Sequence, residues 1–95
     1  MGLRFEWDRN RASTNLTRHG VSFDEASTVF DNPLAKIFDD DAHSVYERRE
    51  IIIGHSATNR LLVVCFTEVE DDVIRIISAR EPTKKERKDY EENVY

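Results

Sequence analysis

Three runs of β-branched and aliphatic residues, at Ile51-Ile52-Ile53, Leu61–Phe66 and Val73–Ala79, are separated only by short polar turns. Such runs suit a pleated, half-buried surface. The connections are too short for parallel crossovers, which take a dozen residues or more. The spacing therefore predicts an antiparallel meander with strands over Arg48–Gly54, Leu61–Glu68 and Val73–Arg80, turning at residues 56–59 and 70–72. Leu61–Glu68 is the most apolar segment and is expected at the centre, buried on both faces. By alternation, Ile76, Ser78 and Arg80 share one face of the last strand, and Arg75, Ile77 and Ala79 share the other.

The flanking segments read as helices with defined ends. Leu3–Trp7 alternates as a short strand. Asp8 then reads as an N-cap, and Gly20 as the stop of the helix between them. Asp8, Ala12, Asn15 and His19 lie on one face of that helix, as a buried polar network or the wall of a site. Ser22-Phe23-Asp24-Glu25 reads as a capping box for a second helix, which Asn32-Pro33 ends. Leu34–Phe38 is a candidate edge strand, and residues 39–46 a loop holding Asp39-Asp40-Asp41. After Pro82, Thr83-Lys84-Lys85-Glu86 is a second capping box, opening a helix to about Asn93. The order β-α-α-β-β-β-β-α is an α+β fold. It is a small antiparallel sheet with two N-terminal helices and one C-terminal helix, in a single domain over residues 1–95.

Composition narrows the function. Apolar residues make up 39% of the 95 and charged residues 35%, against about 25% charged in an ordinary domain. The core must be small and its stability margin thin, so a partner that covers surface would help. The longest apolar run has six residues, Leu61–Phe66, far short of the roughly 18 that span a bilayer. The charged start has no h-region of a signal peptide. The single cysteine, Cys65, cannot form an internal disulfide. A cytoplasmic protein with no membrane association is expected.

The net charge of −5 hides an uneven distribution. Residues 21–50 hold eight acids and three bases, whereas residues 1–20 hold four arginines and two acids. Bases recur as Arg48-Arg49, Arg75 with Arg80, and Lys84-Lys85 with Arg87-Lys88. An arginine on a rigid strand beside a helix start is suited to phosphate, because its planar fork donates two parallel hydrogen bonds. Thr83 and the first N–H groups of the last helix would add donors. The plain alternative is that Arg75 pairs with an acid such as Glu68, and Arg80 with Glu86 or Glu81. His19, His43 and His55 have no metal-ligand spacing and only one cysteine accompanies them, so neither a metal nor another cofactor is expected. No phosphate-binding glycine loop and no nucleophile elbow occur.

Phe5-Glu6-Trp7-Asp8, Asn15, His19-Gly20-Val21-Ser22-Phe23, Ala26, Val29-Phe30, Glu47-Arg48, Ile53-Gly54, Leu61–Phe66 and Ile76-Ile77-Ser78-Ala79-Arg80 together resemble the BrnT toxin family across nearly the whole chain. The resemblance implies a RelE-like fold and a bacterial endoribonuclease toxin that inhibits translation. It also implies neutralisation by a BrnA-like antitoxin with a ribbon-helix-helix domain, operator DNA being reached only through that antitoxin. Position 11 is Arg where family members often have Lys. Charge is kept, but guanidinium is too weak an acid for proton transfer.

RNA cleavage by its own 2′-OH needs alignment, charge stabilisation on the phosphate and a proton for the leaving oxygen. On that reading Arg80 clamps the phosphate, Arg48 and Arg75 add charge, His19 moves the proton and Ser78 donates a hydrogen bond. Lys84, Lys85, Arg87 and Lys88 hold the RNA backbone. A competing reading is a non-catalytic interaction module or co-repressor that binds a ribbon-helix-helix partner. A third, ranked last, is a metal-dependent nuclease using Glu47, Asp41 and His43.

Overall fold

The β-branched runs form strands whose two faces are covered unequally, and this places the site. The computed structural model describes residues 2–43 and 47–93. It contains β1 (Arg4–Trp7), α1 (Arg9–His19), α2 (Phe23–Ser27), β2 (Lys36–Asp39), β3 (Glu50–His55), β4 (Leu61–Glu70), β5 (Val73–Arg80) and α3 (Lys84–Asn93). Single 3-10 turns follow α2 and β2. The expected loop at 39–46 is thus partly strand and 3-10 turn, and its residues 44–46 lie outside the described residues.

The sheet order is β1-β5-β4-β3-β2, with the most apolar strand at its centre. The meander β2 to β5 is antiparallel as expected, but β1 pairs with β5 in parallel. The expected all-antiparallel sheet is therefore mixed. No hairpin ties β1 to β5, so nothing in their connection forces the antiparallel direction. One face of the sheet carries Ile52, Leu62, Val64, Phe66, Ile74, Ile76 and Ala79, which pack on Val21, Phe23, Ala26 and Val29. Aromatic rings continue this core, Phe30 lying edge-on 5.0 Å from Phe66 and tilted 5.1 Å from Phe5. Among the described residues no helix is long and apolar enough to cross a membrane.

The local signals set the helix ends. The Asp8 side chain accepts from Arg11 N at 2.9 Å, and Gly20 closes α1 in the left-handed region at φ 67°. Ser22 caps α2 through Glu25 N. The Glu25 side chain does not return to Ser22, as a capping box would have it. It is taken by Ser56, Thr58 and Arg60 across the fold.

β5 breaks the simple alternation. Ser78 faces Cys65 and Ile76 faces Phe66, which leaves Ile77 as the extra residue of a bulge. Directly opposite residues share a face. Arg75 lies opposite Thr67, Ser78 opposite Cys65 and Arg80 opposite Val63. The bulge therefore puts Arg75, Ser78 and Arg80 on one face, where strict alternation separates Arg75 from the other two. Ile76 and Ala79 turn into the core instead.

Candidate functional site

Beyond Ile76, β5 has no strand beside it on the β1 side, because β1 ends opposite that residue. α1 takes the vacant place. The buried Asn15 side chain accepts from Ala79 N at 3.0 Å and donates to Ala79 O at 2.8 Å, pairing with the backbone as a strand residue would. It also donates to Val21 O at 3.0 Å. Asn15 is thus the buried network of its helix face, and the same docking sets that helix beside the open face of β5.

Three adjoining concavities follow from this arrangement, and all share Arg11 and Ile77. One lies over Arg75 and Arg49, one runs along α1 past Arg18, His19 and Ser78, and one of about 370 Å³ lies over Cys65, Ser78 and Arg80. Together they form a cleft across the open face. Arg11, Arg18, Arg49, Arg75 and Arg80 line it, against Glu6, Asp8, Asp40 and Glu47. In a chain of net charge −5 this cleft has one more cation than it has carboxylates.

The cations differ in how they are held. Arg80 is gripped bidentately by Glu86, at 2.7 and 2.9 Å. The hydrogen bond from Arg80 is the main reason the Glu86 carboxyl falls to about 2, and the Arg80 pKa rises in turn. Glu86 Oε1 also accepts from Thr83 N at 2.8 Å, and Glu86 N donates to Thr83 Oγ1 at 3.1 Å. The second capping box is therefore complete, and the N–H groups of Thr83 and Glu86, expected to meet an anion, are already used. Arg75 pairs with Glu6 at 2.8 Å, not with Glu68. Glu68 shares its register position with Ile74 and so lies on the other face. Among the described residues, Arg11 and Arg18 have no carboxylate in ion-pair range.

Of the residues picked from sequence, Arg75, Ser78, Arg80 and His19 line the cleft. Arg48 does not; it is exposed and pairs with Asp39 at 2.9 Å. Its neighbour Arg49 lines the cleft instead, and counting back by twos from Ile51 on the open face reaches it. Lys84, Lys85, Arg87 and Lys88 are exposed on α3 and line no part of the cleft. Arg87 lies 3.9 Å from Glu91, one turn on. Arg11, set aside from sequence for proton transfer, and Arg18, not singled out from sequence, also line the cleft. They stand four before and three after Asn15, on the α1 face that meets β5. Burial, followed by the nearby Asp40 charge, pushes the Cys65 thiol up to about 11, which leaves it a poor nucleophile. Among the described residues no three His, Cys, Asp or Glu gather as a metal site. The side chain of His43, from the metal-dependent alternative, lies outside the described residues.

Residues 7–86 match a family model described as ribonuclease toxin, BrnT, of type II toxin–antitoxin systems. The 1.1 Å crystal structure of the Brucella abortus ribonuclease toxin BrnT matches with a TM-score of 0.67. That match covers 86% of this chain and 99% of the Brucella chain, at 24% sequence identity. No curated protein matches the chain.

Proposed function

Because the chain belongs to the BrnT family of ribonuclease toxins of type II toxin–antitoxin systems, we propose that it is a cytoplasmic, metal-independent endoribonuclease whose site is the arginine cleft on the open face of β5. The 2′-hydroxyl of a bound RNA gives up its proton to solvent water as its oxygen attacks the adjacent phosphorus. The bond from phosphorus to the 5′-oxygen breaks, leaving a 2′,3′-cyclic phosphate, and the departing oxygen takes a proton. Arg80 and Arg11 stabilise the charge that gathers on the phosphoryl oxygens, with Arg75 beside them. Ser78 donates a hydrogen bond to the phosphate, and His19 is the imidazole suited to the proton transfer. The α3 lysines, with Arg87, steer the RNA backbone from outside the cleft, and Arg48 joins them as a peripheral cation. Cutting RNA in this way inhibits translation, and a BrnA-like ribbon-helix-helix antitoxin, which alone contacts operator DNA, neutralises it.

One observation carries this reading. The Ile77 bulge aligns Arg75, Ser78 and Arg80 on one face, over an open cleft that α1 completes with Arg11. The test is cleavage of RNA by the purified chain with a chelator present. Wild type is expected to cut, and Arg80→Ala to lose about 100-fold or more. The melting temperature should stay within about 5 °C, since a half-exposed pair contributes little. A folded Arg80→Ala protein of undiminished activity would refute the site. A wild type that cuts only without chelator would refute metal independence.

A second reading has its own observation in favour. Arg48, Arg75 and Arg80 each already hold a carboxylate, as cations in a non-catalytic interaction module would. A wild type that cuts no RNA but binds its antitoxin on operator DNA would establish that reading.

A further inference from the structure

The two edges of the sheet are built differently. β1 alternates Arg4 and Glu6 with Phe5 and Trp7, and those rings pack on Phe30 and Phe23 at 5.1 and 5.9 Å. Charge on an edge strand is a common guard against unwanted pairing. The middle of β2 has no such guard. Ile37 is 55% exposed, Phe38 51%, and Leu34 just before the strand 53%. Ile37 lies opposite Ile52 on the core face, and Phe38 opposite Ile51 on the open face. Both faces of the sheet thus end in an uncovered apolar side chain.

Beside Phe38 lies a groove of about 480 Å³ between β2 and α3, in which Phe38, Ile53 and Tyr90 meet Glu86, Asp89 and Lys36, whose ammonium donates to the Asn93 carbonyl. The surroundings are acidic, residues 31–41 holding four aspartates and one lysine. A second copy of the chain fits poorly. Two-fold antiparallel pairing centred on Phe38 sets Ile37 against Asp39, and pairing centred on Ile37 sets Lys36 against Phe38. Either way an apolar side chain meets a charge.

We propose that β2 is the docking edge for the antitoxin, which adds an extended basic segment there as a sixth strand. One of its apolar side chains enters the groove by Phe38, Ile53 and Tyr90, and its Lys or Arg residues meet Glu86, Asp89 and the aspartates. The inference rests on the toxin reading above, which supplies the partner. Glu86 lines the groove and holds Arg80, which lines the cleft, so the docked segment lies against the carboxylate that holds Arg80.

The test uses the full chain and the full-length protein encoded by the adjacent reading frame, titrated by calorimetry. Phe38→Arg and Ile37→Lys change exposed positions, and a preserved melting temperature shows that they fold. Each is expected to weaken binding by about 30-fold or more while RNA cleavage stays at the wild-type level. Amide exchange at residues 36–39 should slow in the complex. Unchanged affinity, or protection only elsewhere, overturns the proposal. So does a chain that is dimeric alone and becomes monomeric on Phe38→Arg, since a second copy is then the occupant. Cleavage is read separately: a wild type that binds at β2 but cuts no RNA overturns the nuclease reading and leaves the docking edge standing.

Discussion

Arg60 and Arg80 are each gripped by a glutamate, yet their surroundings give the two pairs different work. Arg60 donates to Glu25 at 2.7 and 3.2 Å, while Ser56 and Thr58 donate to the same carboxylate at 2.8 and 2.7 Å. Arg60 also reaches the Gly20 carbonyl at 2.9 Å. Burial alone would raise the Glu25 pKa, but those donors outweigh it and the pKa is lowered. This pair joins the end of α1, the start of α2 and the turn before β4. Arg80 and Glu86 have no comparable enclosure. Their side chains are 39% and 32% exposed, against 33% and 18% for Arg60 and Glu25, and Arg80 faces the cleft. A guanidinium whose partners come from three elements is a fastener. One held by a single carboxylate at the mouth of a cleft can be exchanged onto a phosphate.

The largest effect should come from breaking the fastener. Glu25→Ala removes the acceptor of Ser56, Thr58 and Arg60 together and is expected to destabilise the chain by about 3 kcal/mol. Urea unfolding measures it. Since the domain is small, activity should fall only as the folded fraction falls. A Glu25→Ala protein with wild-type stability would show that the two pairs are equivalent.

The same contrast marks what was legible in the sequence. Caps and strands obey local rules, so Gly20, Ser22, the Thr83–Glu86 box and the full extent of β5 could be read directly. The Ile77 bulge could not, because it is a matter of register between β4 and β5 and only pairing reveals it. It decides that Arg75 joins Arg80, which alternation alone gets wrong. Arg49 was masked by its neighbour, since the strand begins at Glu50 and the parity of Arg48 points away from the cleft. Arg11 depends on how Asn15 docks α1 against β5, a contact 64 residues apart in sequence. Glu25 followed the pattern of a capping box, but the nearby cation and hydroxyls of the turn before β4 won its carboxylate. The local grammar thus gave the elements, and the site was assembled by contacts between them.

Acid should reduce the contribution of both pairs. Glu86 sits at about 2 when folded against an ordinary 4.5, so its contribution is complete above about pH 4.5 and is lost as pH falls toward 2. Its exposure cuts that contribution to about 0.5–1 kcal/mol. Glu25 shifts in the same direction. Wild type should therefore lose more stability between pH 4.5 and 2 than Glu86→Gln does. Equal losses in the two proteins would mean that the Arg80–Glu86 pair contributes nothing to folding.

The smallest effect separates exchange from fastening most directly. Glu86→Gln keeps an acceptor for Thr83 N and for one Arg80 N–H, so the start of α3 stays capped. The negative charge on Arg80 is gone, and a phosphate no longer competes with it. A single-stranded RNA with 2′-deoxy substitution at the cleavage site should bind about 3- to 10-fold tighter to Glu86→Gln. The slope of log affinity against log salt should steepen by about 0.7, the increment for one further phosphate neutralised on a single strand. Weaker binding would mean that Glu86 holds Arg80 in its working position, and Arg80 would then belong with Arg60 among the fasteners. The salt slope keeps the two outcomes apart, because lost positioning lowers affinity without adding a released counterion.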